Sequence, residues 1–292
     1  MAVRSEGLTL DPIWLAPELR FADGTDARGG LLPPELAARF PGELAVPLRP
    51  ERPTVIANFV SSLDGVVAMG PGEPSSGGGE ISGFSESDRY MMALLRGIAD
   101  VVIVGGGTVR AGKRHEWTPR SVAPTLVEAF AAWRSELWLA PQPTTIVVSG
   151  SGKVDLRHAG LSAPDVPVIV VTTTSGASLL AMSPIPANVR VEAVGDGTTV
   201  AAGALLEVVR GTGARLALCE GGPHLLGELV RARLVDELFL TLAPQVIGRD
   251  SAAHRLGLIE GTSFGDGRGR WANLTAVRRA GDDLFLRYRF VP

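Results

Sequence analysis

The sequence predicts an α/β protein built on a largely parallel sheet with helices on both faces, and three observations predict it. Strand-length apolar runs recur at 54–60, 101–104, 144–148, 167–171, 189–194, 215–219 and 237–242. Between them, apolar residues return at helical spacing over 85–98, 122–138, 198–210 and 224–232. Two of the strand-like runs end in glycines that open onto a helical pattern, as strand-to-helix turns do. Runs that are apolar on both faces fit a parallel sheet buried between helical layers.

Taken in order, residues 1–52 stand apart from this alternation. They carry Pro, Gly and short polar turns such as Asp23-Gly24-Thr25-Asp26 and Arg28-Gly29-Gly30, with one short helical pattern at 34–40. They are expected to pack on the surface as an extension of a main domain at 53–292. The run 54–60 leads into Ser61-Ser62-Leu63-Asp64-Gly65, where Asp-Gly is a common turn pairing. The glycine-rich stretch 70–79 that follows is either a lid that closes over a site or a surface loop. Helix 85–98 then feeds the strand 101–104 and its glycine turn, 122–138 returns to the strand 144–148, and the alternation continues to 215–219, the second glycine turn, 224–232 and 237–242. The final run, 284–290, alternates after Gly281-Asp282-Asp283 and reads as an antiparallel hairpin strand closing the sheet edge.

Composition narrows the function. With 292 residues, 45% of them hydrophobic, the chain can bury a sizeable core. A net charge of −3 and the lack of a long basic block argue against non-specific nucleic-acid binding. The N-terminal residues lack the charged-then-apolar layout of a secretion signal, and no apolar run reaches bilayer length, so a cytoplasmic location without a membrane partner is expected. The single cysteine, Cys219, and the scattered His115, His158, His224 and His254 do not have zinc-site spacing. Catalysis is expected to proceed without a metal, and Cys219 reads as a small buried apolar residue.

The glycine turns are the most informative feature. Val104 is followed by Gly105-Gly106-Gly107-Thr108-Val109, and Cys219 by Glu220-Gly221-Gly222-Pro223. Glycine lets backbone N–H groups approach an anion, and a helix N-terminus adds a partial positive charge beneath it. Either turn alone is equally a tight connection; together they suggest a pyrophosphate held from two sides. A P-loop reading of Gly107 to Lys113 fails at Arg114, which stands where Ser or Thr should ligate magnesium. A Rossmann reading fails at Arg110, which replaces the third glycine.

The ordered motifs Ala57-Asn58-Phe59-Val60-Ser61-Ser62-Leu63-Asp64-Gly65, Val104 to Val109, Glu220-Gly221-Gly222, and Leu234-Val235-Asp236-Glu237 with Ala243-Pro244 resemble the pyrimidine reductase domain of riboflavin biosynthesis. The resemblance covers roughly 53–290. It implies a three-layer fold of the dihydrofolate reductase-like superfamily, with a mostly parallel central sheet and an antiparallel C-terminal strand. It also implies a homodimer, NADPH as hydride donor, and reduction of a ribosylamino-pyrimidine phosphate to the ribitylamino form. In that reaction the ribosylamine opens to an imine, hydride adds to the sugar C1′, and a proton goes to the neighbouring nitrogen.

Carried onto this sequence, Asp64 and Glu220 become the catalytic carboxylates, with Asn58 and Ser62 near substrate. Gly105, Gly106, Gly107, Thr108, Val109, Gly221 and Gly222 hold the cofactor, and Ser149 meets its adenosine end. Simpler readings stand beside these: a turn for Asp64, backbone hydrogen bonding for Glu220, a helix cap for Thr108 and a turn serine for Ser149.

Two departures limit the transfer. The family's paired aspartates and Leu-Thr-Val stretch after the glycine turn are replaced here by Arg110-Ala111-Gly112-Lys113-Arg114. Arg110, Lys113 and Arg114 are read either as phosphate ligands for the substrate or for the cofactor's 2′-phosphate, or as a solvated surface loop. The zinc deaminase signature that accompanies this reductase in bifunctional relatives is also absent. An NADPH-dependent reductase of a dihydropterin or another small C=N or C=O compound, and a nucleotide-sensing module without turnover, remain alternatives.

Overall fold

The computed structural model describes residues 8–16, 26–70, 78–112, 115–250 and 255–291. Its strands are β1 (Asp11–Leu15), β2 (Ala27–Leu31), β3 (Glu43–Pro47), β4 (Thr54–Ser62), β5 (Val101–Gly105), β6 (Thr144–Val148), β7 (Val168–Thr172), β8 (Val189–Ala193), β9 (Leu216–Cys219), β10 (Glu237–Ala243), β11 (Ala272–Ala280) and β12 (Asp283–Phe290). The α-helices are α1 (Pro34–Ala37), α2 (Gly79–Ser82), α3 (Glu86–Ile98), α4 (Gly106–Ala111), α5 (Pro119–Val122), α6 (Val127–Glu136), α7 (Thr174–Leu180), α8 (Ala202–Gly211) and α9 (Pro223–Arg231).

One sheet runs β1-β11-β12-β10-β4-β9-β5-β6-β7-β8. From β10 to β8 every pairing is parallel, whereas β12, β11 and β1 join antiparallel. Alternation along the central strands separates two cores. Ile56, Val102 and Leu218 face Leu94 and Leu95 of α3 and the α6 residues Phe130 and Trp133. Val55, Ile103 and Cys219 face Leu205 and Val209 of α8 and Leu226 and Leu229 of α9. Each large side chain so buried contributes about 1.5–3 kcal/mol before entropy is set against it.

Helix α3 positions the site. Ser85 caps it by accepting from the Asp88 amide, and it ends where Ala99 turns extended. A β-carbon at Gly97 would lie 2.9 Å from Trp133, so glycine is what lets α3 and α6 close together.

The structure changes several sequence expectations. Strand β12 is not the sheet edge: β11 lies beyond it and β1 beyond that. β11 escaped the sequence reading because its alternation is broken by a bulge between Leu274 and Ala276 and because it carries adjacent Arg278 and Arg279. The helix expected over 122–138 is shorter: α5 ends at Val122, a single 3-10 turn follows at Pro124–Leu126, and α6 runs only over Val127–Glu136. Within the segment expected on the surface, Leu36, Leu44 and Val46 are at most 1% exposed and join the same core as Ile56 and Leu94. Most of the stretch 70–79, at 71–77, lies outside the described residues.

Candidate active site

The two glycine turns are neighbours because β5 and β9 pair directly, with Ile103 opposite Cys219. The Glu220 amide also donates to the Ile103 carbonyl at 2.9 Å. A β-carbon placed on Gly221 would lie 3.3 Å from the Gly105 nitrogen, and one on Gly105 would lie 3.8 Å from the Gly222 nitrogen. The turns therefore form one backbone-lined cradle that side chains would fill. Thr108 borders it, 3.6 Å from the β-carbon position of Gly222. Ser149 borders its other side, 3.2 Å from the β-carbon position of Gly106. Pro223 takes the first position of α9, where a missing N–H costs nothing. Val109 differs from its neighbours: its side chain is buried in the core, leaving only backbone for a ligand.

Arg110 folds back over the first turn instead of reaching toward Asn58 or Ser62. Its guanidinium nitrogens lie 3.5 and 3.8 Å from the β-carbon positions of Gly106 and Gly107, and it donates to the Lys153 carbonyl. Lys113 and Arg114 lie outside the described residues.

Glu220 faces α3, where Arg96 holds both of its carboxylate oxygens. The Arg96 Nε lies 3.1 Å from each, and Nη2 lies 2.6 Å from Oε2. Both side chains are more than 90% buried. The same guanidinium donates to the carbonyls of Glu116 and Thr118 and to the Ser121 hydroxyl, so it pins 116–121 onto α3. Its contact with His115 Nε2, at 2.7 Å, requires a neutral ring that accepts, since arginine can only donate. Burial, aided by the Arg96 charge and by His158, pushes His115 down to about 3 and keeps it neutral.

Asp64 is engaged differently. It accepts from the Ser62 hydroxyl at 2.6 Å and from the amides of Ile247 at 3.1 Å and Gly248 at 2.7 Å. These donors, Ser62 first, hold its carboxyl down to about 2 although it is exposed. Such a group stays ionised at neutral pH and stitches the turn after β4 to the chain after β10. The Ser62 hydroxyl is committed to the same turn, accepting from the Val66 amide.

The register keeps the two carboxylates apart. Ala57 pairs with Cys219, so Asn58 sits beside Glu220, whereas Ser62 is four residues further along β4, about 13 Å at ~3.3 Å per residue. Asn58 is 8% exposed, and its side-chain amide makes no hydrogen bond to any described residue. It lines a cavity on the α3 side of the sheet.

Sequence reasoning missed Asp88. This carboxylate lies on the sheet-facing arc of α3, 5% exposed. Burial pushes it up to about 6 from 3.8, and the charges of Asp283 and Glu220 add to the rise, while the hydroxyls of Thr241 in β10 and Ser82 in α2 act to lower it. The signal in the sequence was an acidic residue on the apolar face of an amphipathic helix, masked because a third-position acid also suits a helix start. A raised native pKa means that this group's contribution to stability is full below about pH 4 and is lost as pH rises through about 6. Asp88→Asn cannot ionise. Its stability relative to the parent chain should therefore rise by up to about 3 kcal/mol between pH 4 and pH 7. Urea denaturation of both proteins across that range measures the difference; a pH-independent difference would contradict a proton held at Asp88.

Comparison with known proteins fits this geometry. The profile of the RibD C-terminal domain family matches residues 53–275, more than half of the chain. The chain belongs to that family. Among curated relatives, this RibD C-terminal domain protein is 27% identical over 248 residues to the 2,5-diamino-6-ribosylamino-4(3H)-pyrimidinone 5′-phosphate reductase of Archaeoglobus fulgidus, covering 82% of this chain and 99% of the relative. It is 25% identical over 229 residues to the protein of the same name from Aquifex aeolicus, covering 78% and 90%. A solved pyrimidine reductase-like protein from Corynebacterium diphtheriae superposes with a TM-score of 0.62 at 20% identity, covering 82% of this chain and 92% of that one. That likeness shows the fold, the dihydrofolate reductase-like three-layer arrangement expected from the sequence. Among the described residues no helix is long and apolar enough to cross a membrane.

Proposed function

We propose that this chain is an NADPH-dependent reductase that converts a ribosylamino-pyrimidine phosphate to its ribitylamino form in riboflavin biosynthesis. The observation that carries the reading is the cradle between two glycine turns on adjacent parallel strands, within a chain of the RibD C-terminal domain family. It fits a dinucleotide phosphate because its walls are backbone N–H groups at the start of a helix, and among the described residues the adjacent carboxylate, Glu220, turns away to Arg96. Bound there, NADPH supplies the hydride.

The chain's own residues bind and orient. The amides of Gly106, Gly107, Gly221 and Gly222, with the Gly105 backbone and the Thr108 hydroxyl, hold the pyrophosphate, while Ser149 serves the adenosine side. Arg110 meets the 2′-phosphate, and Lys113 and Arg114 the substrate phosphate. Asn58, with an uncommitted amide beside Glu220, orients the pyrimidine. Glu220 acts through Arg96, which fixes the 116–121 segment onto α3. Asp64 holds the turn that ends β4. The reductase unit is 53–292, and described residues of the preceding extension such as Leu10, Phe40 and Leu44 pack against the face of the sheet that bears Asn58. A cytoplasmic homodimer acting on a small molecule completes the proposal, on the strength of the family resemblance.

Because Arg110 crosses the cradle, NADPH should bind at least about tenfold more tightly than NADH, the effect of about 1.4 kcal/mol from a charge-assisted contact. Calorimetric titration with both nucleotides is the test. Equal affinities would remove the 2′-phosphate assignment, and no binding of either would remove the cofactor.

A further inference from the structure

The cavity that Asn58 lines, about 470 Å³, lies away from the glycine turns, between the sheet and residues 15–16 and 40–45. Its floor is two cross-strand rows. One row sets Arg278 of β11 beside Phe285 of β12 and Thr241 of β10. The other sets Arg287 of β12 beside Phe239 of β10 and Asn58 of β4. From Arg278 to Asn58 the floor crosses three strand spacings, about 14 Å. Phe40, Leu44 and Met91 face this floor.

The two arginines are in different states. Arg287 is neutralised by Glu237, with Nη2 at 2.6 Å from Oε2. Arg278 is 96% buried yet bonds no carboxylate among the described residues; its Nη1 donates only to the carbonyls of Leu10 and Pro41, at 3.0 and 2.9 Å. Its guanidinium stacks on Phe40 at 3.7 Å, which fixes its direction. Burial and the nearby Arg287 charge pull it down to about 10, while only Asp11 acts the other way. A buried cation without a counter-ion is costly, and an anion arriving beside it removes that cost. The volume falls within the roughly 300–1,000 Å³ of small-molecule sites, and the walls are aliphatic and aromatic with Arg278, Arg287, Asn58, Thr241 and Glu43 as their polar groups.

We propose that this cavity binds a flat aromatic or heteroaromatic molecule carrying one anionic group, with its ring over Phe239 and Phe285, its anion on Arg278, and its inner edge toward Asn58 and Thr241. Its anion site at Arg278 stands apart from the reductase reading, and only the inner edge at Asn58 is shared with it. Because the cavity reaches Asn58, its occupant's inner edge lies next to the amide assigned to the pyrimidine.

The test is a fluorescence titration of the full chain with 1-anilinonaphthalene-8-sulfonate, an aromatic anion built on a flat naphthalene ring. One saturable site is expected, weakened roughly tenfold or more by Arg278→Met, and by Ala276→Leu, which fills the cavity from its floor. The uncharged N-phenyl-1-naphthylamine should bind the parent chain roughly tenfold or more weakly, a comparison that needs no variant to fold. Saturating NADP⁺ should leave the titration unchanged. Absence of a saturable site, equal binding by folded Ala276→Leu, or equal binding of the neutral dye would each overturn the proposal. Displacement by NADP⁺ would place the dye in the glycine cradle, overturning this site while leaving the cofactor assignment standing.

Discussion

Gly222→Val is expected to lower NADPH affinity by about a hundredfold or more while leaving the chain folded. The reason lies in how differently the two glycines of the second turn are surrounded. A β-carbon on Gly221 would lie 2.5 Å from the Leu225 side chain and 3.3 Å from the Gly105 backbone nitrogen. Substitution there would disturb β9 and α9 as well as the cradle, and a loss of binding would be uninformative. Gly222 has φ −64° and ψ 171°, a conformation that any residue adopts, and its β-carbon would meet only the Thr108 hydroxyl at 3.6 Å.

Valine at Gly222 is therefore tolerated by the protein and resisted by whatever approaches the cradle. As a helix cap it is worse than glycine, which should cost about 1 kcal/mol of stability. A hundredfold loss of affinity corresponds to about 2.7 kcal/mol, a realistic effect for steric exclusion of phosphate from its amides. Circular dichroism and urea denaturation establish folding, and calorimetry establishes binding. A folded Gly222→Val protein that binds NADPH normally would mean that the phosphates lie elsewhere.

What was legible in the sequence follows from how local each requirement is. Glycines at 105–107 and 221–222 are backbone demands of the turns themselves, so they could be read without tertiary information. That β5 and β9 are adjacent is a topological fact, and it is what converts two ordinary turns into one cradle. The parallel strands were visible as continuous apolar runs because both of their faces are covered. Strand β1, Asp-Pro-Ile-Trp-Leu, is exposed at every position in an edge strand, so no burial pattern marked it. The partner of Glu220 was illegible for a different reason: Arg96 is 124 residues away in the chain, and a lone arginine at the end of a helix ordinarily reads as a favourable charge near the helix C-terminus.

Glu220→Gln separates a carboxylate that acts on substrate from one that holds Arg96. Glutamine preserves shape, but it leaves the Arg96 guanidinium buried among carbonyls, a hydroxyl and a neutral imidazole without a counter-charge. Breaking a buried pair from one side typically costs about 3–5 kcal/mol, because the desolvated charge that remains is uncompensated. Glu220→Gln should therefore unfold at a clearly lower urea concentration. Turnover should also fall, by roughly a hundredfold in kcat/KM, as Arg96 and the 116–121 segment it holds loosen beside Glu220.

Arg96→Met combined with Glu220→Leu tests the cause. Replacing both partners with apolar side chains removes the stranded charge and should recover much of the stability. It cannot restore the hydrogen bonds to Glu116 and Thr118, so turnover should stay low. The two readouts are expected to part in the double variant although they fall together in the single one. Wild-type stability in Glu220→Gln would show that Arg96 does not need the charge. A double variant that regained turnover along with stability would show that neither residue orders the site, and that its geometry is set by the glycine turns and β4 alone.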